Sequence, residues 1–564
     1  MASDRAGELS LLMLAGAVAL LPIGLWGSDN ALGYLGLLDS LSPLVVIGLC
    51  LCVLSLVLQE VSTTSSNVVM LLQLMLINAY IWTIPAVLFS GLTLPAGGVS
   101  FLFYSNTAAI GQTGHIAPST YQYQSWPLQY IFLLEIKVMS SLGYLQLFQL
   151  AAFLENAVVS ILLLIFFRVW LEKGREQFAF IGVAFFQLFS FDTPLTAFSP
   201  YSFGYILFYA ALAFFFWSFS SFTFTRSKKS SVTVFILLCA LAVTHPEVAF
   251  VLLVAILLAR VGASVRTRQF SLERYDIVIL GALVTTAWFI YGAVAYVSGG
   301  NLSSYFSQAF NFLAEVLPTV HTSLGTASPG HLLVNQIRLA LILVLAVGSI
   351  PVILKGVFER QTTYIVLLSF VLGIGFSFLI VGNIQGPGYL YRLLAYVLPI
   401  VVLGDFVGLT FLSRRKMFSA LIIISLLAVP ICYITTYGGI QSDYVPTTVI
   451  QTATYYSQFV PNHSHYDIFA TQAVVGFYGN NLESINPYTT YDSGIVFIAD
   501  YNVTLLPASD FKIVLLGQDA VQQLSYLSGN LTAVGNAVAL LDMSHQHDLV
   551  YSSIADSLYL RTSP

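Results

Sequence analysis

The residues best suited to chemistry fall in two places. The first is a polar, aromatic, glycine-rich stretch from Ser90 to Tyr130, SGLTLPAGGVSFLFYSNTAAIGQTGHIAPSTYQYQSWPLQY, set between long apolar runs. It contains His115 just after Gly114, then Tyr121, Tyr123, Trp126 and Tyr130 close together. Such rings can stack on the apolar faces of sugars while their OH or NH tips hydrogen-bond hydroxyls. They equally suit the aromatic belt of a membrane protein. His115 can act as a proton-transfer group or as a hydrogen-bonded structural residue. The second place is the set of polar groups beside or inside apolar runs, which are costly in a membrane and point to function. These are Asp192 in FSFDTPLTAFSPYSFG, His245 and Glu247 in THPE, Arg392 in GPGYLYRLLAYVLP, and Asp405. Arg392 could clamp a lipid phosphate with its planar fork or snorkel to the surface. Asp405 suits pairing with a neighbouring helix.

The elements that hold these groups must be membrane helices. Of 564 residues, 57% are hydrophobic and 8% charged, where soluble domains carry about 25% charge. A net charge of −5 points to neither an acidic nor a basic partner, and no basic stripe with interleaved aromatics is present, so nucleic acid is not expected. Cys50, Cys52, Cys239 and Cys432 lie in apolar segments and make neither a disulfide framework nor a zinc site. The first apolar run, Leu9 to Trp26, follows MASDRAGE with no small-residue cleavage site after it, and reads as a retained helix.

Apolar runs predict spans over 9–26, 43–58, 68–90, 146–170, 177–191, 201–222, 231–244, 246–262, 276–297, 336–354, 363–381, 389–412 and 418–437, about 13 in all. The short ones, 177–191 and 231–244, could be half-helices opening onto a cavity. Basic clusters at Arg168/Lys173/Arg175, Arg226/Lys228/Lys229, Arg260 to Arg274, Lys355/Arg360 and Arg414 to Lys416 set the cytoplasmic side. The N-terminus is then inside and the C-terminus outside. Parity makes Leu128 to Leu142, with Glu135 and Lys137 mid-run, an amphipathic helix in the outer interface. The acceptor pattern N-x-[ST] occurs at Asn301, Asn462, Asn502 and Asn530, all on the predicted outer side.

Three regions follow. Residues 1–67 hold two N-terminal helices, 68–437 form the main transmembrane module with an outer loop at 91–145, and 438–564 change composition. This last region mixes short β-prone runs (Ile495–Ile498, Lys512–Leu516, Val538–Leu541, Ser557–Leu560) with helical stretches, as in a small α/β or α+β domain. The expected fold is a polytopic α-helical membrane protein with an extracytoplasmic C-terminal domain. No internal repeat of the secondary-transporter kind is visible.

In order and layout, NTAAIGQTGHI, YQYQSWPLQYIF, AFSPYSFGYILF, THPEVAF and YRLLAYVLP resemble the GT-C fold of polyprenyl-phosphate-dependent membrane glycosyltransferases, particularly their archaeal branches. The resemblance covers most of 68–437. It implies an active site in the first large outer loop and its interfacial helices, and a lipid-linked sugar donor entering from the bilayer. It also implies an Asp or Glu in that loop, as base or ligand of a divalent metal ion, the one cofactor it leaves open. Here no acid occurs between Glu60 and Glu135, and Asn106 stands roughly where the acid is expected. An amide cannot serve as a carboxylate base. The WWDYG signature of oligosaccharyltransferases is also missing.

The expected activity is sugar transfer from a polyprenyl-phosphate carrier to a glycan or protein acceptor on the outer face. Glu135, Asp192 or Glu247, helped by His115 or His245, would take the acceptor proton, and Arg392 or Lys137 would hold the lipid phosphate. Asn106, Tyr121, Tyr123 and Trp126 would hold the sugar. The alternatives are a non-catalytic relative that binds lipid-linked glycan or assists surface assembly, and a transporter using Asp405, Glu247 and His245 as an ion path.

Overall fold

The computed structural model describes residues 2–28, 37–62, 66–88, 97–116, 122–171, 176–190, 199–220, 228–268, 275–292, 329–385 and 390–437, with four strands between 466 and 561. The helices are α1 (Ala2–Trp26), α2 (Pro43–Val61), α3 (Asn67–Trp82), α4 (Ile84–Leu88), α5 (Gly97–Thr113), α6 (Leu128–Ser140), α7 (Tyr144–Trp170) and α8 (Phe178–Phe189). They continue as α9 (Pro200–Ser220), α10 (Lys228–Thr244), α11 (Pro246–Thr267), α12 (Asp276–Ala287), α13 (Pro329–Phe358), α14 (Thr362–Gln385), α15 (Leu390–Thr410) and α16 (Arg414–Tyr437). Eight of them are long and apolar enough to cross a membrane, and five further apolar helices are shorter. The spans expected from the sequence fall on these helices over their described residues, with 68–90 divided at Thr83 into α3 and α4.

Proline and small polar residues set the helix starts. Ser42 accepts the Leu44 N–H at the head of α2, where Pro43 needs no partner for a missing donor. Pro200 and Pro246 open α9 and α11 in the same way. At α7, Gln146 Oε1 reaches back to the Gly143 N–H at 3.0 Å.

Packing is densest where small residues let backbones meet. On α14, Gly373 faces α11 so closely that an added Cβ would stand 2.6 Å from Ala255 Cα. On α2, Gly48 leaves room for the Tyr80 ring, whose hydroxyl passes to the Ala17 carbonyl of α1 at 2.5 Å. Gln73 ties the same three helices together, its amide nitrogen lying 2.6 Å from Ser55 Oγ and 3.2 Å from Ser10 Oγ. Tyr433 and Tyr437 on α16 donate to the Tyr80 and Ile81 carbonyls, so the last helix closes on α3. Between them lies an aromatic core in which α8 is buried from Ala179 to Phe189, and Phe208, Phe215, Phe216, Phe370 and Tyr396 interlock. Large apolar side chains such as Leu12, Val18, Leu343 and Val344 point outward instead, as membrane-facing surfaces do.

Two regions differ from expectation. The stretch Ser90 to Tyr130, read as a loop, holds the 17-residue helix α5, a 3-10 turn at Gln122–Ser125 and the start of α6. Its threonines do not compete with the helix, because Thr107 and Thr113 turn their hydroxyls back to the Phe103 and Ala109 carbonyls. Gly114, in the left-handed region at φ 71°, ends α5. In the C-terminal region the described strands are β1 (Tyr466–Ile468), β2 (Ile513–Leu516), β3 (His547–Ser552) and β4 (Ser557–Arg561), in the order β1-β2-β4-β3. Strand β1 runs parallel to β2, and the other pairs are antiparallel, with an irregularity between Leu549 and Tyr551. β2 and β4 fall at expected runs; β1 and β3 do not, and Ile495–Ile498 and Val538–Leu541 lie outside the described residues.

Candidate active site

The site forms at the head of α9, where SPYS brings four side chains onto one turn. Ser199 and Ser202 cap the helix reciprocally: the Ser199 N–H meets Ser202 Oγ at 2.9 Å and the Ser202 N–H meets Ser199 Oγ at 3.0 Å. Both end donors are thereby satisfied. Ser202 Oγ is also 2.9 Å from Glu155 Oε1 on α7. Glu155 is 2% exposed, and its Oε2 has no hydrogen-bond partner among the described residues.

Tyr201, one position earlier, reaches a second carboxylate. Its hydroxyl donates to Glu247 Oε1 at 3.1 Å and accepts from the Tyr205 hydroxyl at 2.9 Å. Glu247 sits in the first turn of α11, where the helix dipole favours a negative charge. His245, at the N-cap of α11, sets its ring edgewise on Tyr201 with centroids 4.8 Å apart. Gly204 makes this approach possible, since a Cβ there would lie 3.0 Å from Val248 and 3.4 Å from His245 Cβ. Behind the pair, Tyr205 packs on Tyr396 of α15 at 4.6 Å, and Tyr209 donates to the Ala395 carbonyl at 2.6 Å.

Helices α5 and α6 lie over this end of the bundle. Phe132 of α6 packs on Phe203 with centroids 5.0 Å apart, and Phe103 of α5 lies 6.5 Å from Tyr130. The π-helical turn Trp288–Gly292 that ends α12 brings the Trp288 indole N–H to the Ser125 carbonyl at 3.1 Å. Such turns recur at functional sites.

Of the residues chosen from sequence, the structure brings His245 and Glu247 together. Asn106 is buried on α5 and Trp126 is buried just before α6. Glu135 is exposed on the side of α6 opposite Gln129, Tyr130 and Leu133, whereas Lys137, one turn after Leu133 and on the same side, is half-buried. His115 is exposed beyond α5, its Nδ1 3.2 Å from the Thr113 carbonyl. Asp405 on α15 lies against Gly348 of α13. Arg392 is in the first turn of α15 and Tyr123 in the 3-10 turn, with their side chains outside the description; Tyr121, Asp192, Asn301, Asn462, Asn502 and Asn530 lie outside the described residues. Glu155 was reachable from sequence by the same signal that marked Glu247, an acid well inside an apolar run. Its serine partner on another helix was not.

Among the described residues no three His, Cys, Asp or Glu side chains gather as a metal site requires. Two carboxyl groups on one helix end, one of them tied to a tyrosine pair, can accept and hold a proton away from bulk water.

The fold has solved counterparts. The archaeal oligosaccharyltransferase AglB of Archaeoglobus fulgidus, in complex with an inhibitory peptide and a dolichol-phosphate, aligns with a TM-score of 0.52 at 12% identity over 87% of this chain and 74% of that one. ArnT from Cupriavidus metallidurans, bound to undecaprenyl phosphate, aligns with a TM-score of 0.50 at 12% identity over 87% of this chain and 97% of that one. The chain has the GT-C fold. At 12% identity this GT-C likeness is one of architecture. No family model matches the sequence, and neither does any curated protein.

Proposed function

We propose that this GT-C protein is an inverting membrane glycosyltransferase that moves a sugar from a polyprenyl-phosphate-linked donor to a glycan or protein acceptor on the outer face. The observation that carries the reading is Glu247, buried at the head of α11 and held by Tyr201. Glu247 takes the proton of the acceptor hydroxyl as that oxygen attacks the sugar, and the sugar's bond to the lipid phosphate breaks. The phosphate leaves as an anion, which needs a cation; Arg392 at the head of α15 is the first choice and Lys137 the second. Solved proteins of this fold are described with dolichol-phosphate and with undecaprenyl phosphate, which supports a lipid carrier of that chemistry. In this reading all thirteen apolar helices cross the membrane with the N-terminus inside. The site, the C-terminal strands and the four sequons then face outward.

One observation favours a second reading, a non-catalytic protein that binds lipid-linked glycan. No acid stands between Glu60 and Glu135, and α5 presents the buried amide of Asn106. The deciding experiment supplies radiolabelled polyprenyl-phosphate-linked hexose to membranes carrying the native protein or Glu247→Gln. Transfer by the native protein alone supports the enzyme. Equal transfer by both would remove Glu247 from the mechanism.

A further inference from the structure

The approach to α6 holds polar groups that the fold leaves unanswered. Gln129 is fully buried, at 0% exposure, yet neither its amide nitrogen nor its amide oxygen has a hydrogen-bond partner among the described residues. Ser125, about one turn earlier and 1% exposed, has its Oγ in the same condition, although its carbonyl is held by Trp288. Buried polar side chains almost always find partners. An apolar side chain of similar size at Gln129 would avoid the penalty altogether. The buried rings of Trp126 and Tyr130 share this turn.

The unsatisfied atoms define what would answer them. The amide offers two donors and one acceptor, and the serine hydroxyl offers both roles. A phosphate accepts only and would be repelled by the amide oxygen. Neighbouring hydroxyls on a sugar ring both donate and accept, and its C–H faces suit aromatic rings. The position also fits, because Phe132, on the next turn of α6, packs on Phe203, which directly follows Ser202 at the Glu155 carboxylate.

We propose that Gln129 and Ser125 form a subsite for the hydroxyls of a hexose ring, with Gln129 setting which hexose is accepted. The inference rests on the glycosyltransferase reading and gives its donor a sugar-binding contact outside the residues considered from sequence.

The test uses the purified full chain in lipid nanodiscs with dolichyl phosphate, dolichyl-phosphate-linked glucose and dolichyl-phosphate-linked mannose as probes. Gln129→Met, similar in size and apolar, should melt at or above the native temperature, since no structural bond is lost. It should bind bare dolichyl phosphate as the native protein does, and lose about tenfold in affinity for at least one sugar-bearing lipid. Ser125→Ala should lose about threefold for the same lipid. A lower melting temperature for Gln129→Met would show that the amide is a structural bond and overturn the subsite. Unchanged affinity for both sugar-bearing lipids would do the same, as would native protein that gains nothing from either attached hexose. Native protein that binds neither bare carrier nor sugar-bearing lipid would bring down the glycosyltransferase reading, and the subsite with it.

Discussion

Ser202 Oγ stands 2.9 Å from Glu155 Oε1, while its neighbour Tyr201 holds Glu247 from the other side of the same turn. One helix end therefore orders two buried carboxyl groups drawn from α7 and α11. Of this pair, Glu155 has the oxygen, Oε2, with no hydrogen-bond partner among the described residues, and substitution separates a structural role for it from a chemical one. Glu155→Gln keeps the Ser202 contact, so the melting temperature should stay within a few degrees of native. Glu155→Leu loses the contact but also the burial cost of a carboxyl group, which often comes out near neutral. If the charge contributes to transfer, both variants should lose about 100-fold in rate at near-native stability. A sharp fall in stability for both, measured by thermal unfolding, would instead make Glu155 a packing residue.

Tyr201 tests the other half. Tyr201→Phe keeps the ring against His245 and removes the hydroxyl that donates to Glu247 and accepts from Tyr205. A lost buried hydrogen bond costs about 1 kcal/mol, so stability should fall slightly. Transfer should drop about tenfold, because an unheld carboxylate samples more orientations. Normal transfer with lowered stability would place Tyr201 in the fold alone.

The crossing of α11 and α14 gives a stability prediction independent of function. An alanine Cβ at Gly373 would meet Ala255 Cα at 2.6 Å and the Val254 carbonyl at 2.9 Å. These are backbone atoms, which cannot swing aside as a side chain can. Gly373→Ala should cost roughly 1–3 kcal/mol through forced separation of the helices, read as a lower melting temperature. At Gly375 no atom lies within 4 Å of an added Cβ, so Gly375→Ala serves as the control and should melt near native.

Orientation is checked by labelling. Single cysteines at Ser119 and Ser525, in a background lacking Cys50, Cys52, Cys239 and Cys432, should react with an impermeant thiol reagent from outside. Cysteine at Ser227, among the basic residues that follow α9, should not. Labelling at Ser227 alone would invert the topology and put the site in the cytoplasm.

Much of the bundle was legible because a helix long enough to cross a bilayer must be written as one apolar run. Each such run falls on a helix over its described residues. Helix α5 was not legible. It lacks an amphipathic pattern and carries Gly97, Gly98, Ser100, Ser105, Asn106 and Thr107, all residues that favour loops when read locally. Tertiary contacts with α6 and α7 decide otherwise. Glu247 and His245 stood out because THPE interrupts two apolar runs. The Glu155–Ser202 pair did not, because it joins residues 47 positions apart on different helices. In the C-terminal region β3 escaped notice because His547 and Asp548 open it, and its pairing with β4 is set across a short turn with an irregularity in register.

Enzyme and binder make different demands on charge, and one set of variants tells them apart. Both must hold the carrier phosphate, so Arg392→Ala should weaken dolichyl phosphate binding about tenfold or more in either case, as loss of a charge-assisted hydrogen bond does. Only the enzyme needs a carboxylate that takes a proton. Glu247→Gln keeps the shape and an acceptor oxygen for Tyr201 while removing charge and basicity, so carrier binding should persist and transfer should fall by about 100-fold or more. Glu135→Gln, altering an exposed acid on α6, and Asp192→Asn complete the set, and each should transfer at near-native rate if Glu247 is the base. Should one of these two abolish transfer instead, with Glu247→Gln active, the base belongs to that residue. Should the native protein bind dolichyl phosphate and never turn over the sugar-bearing lipid with membrane acceptors supplied, the non-catalytic reading replaces the enzyme.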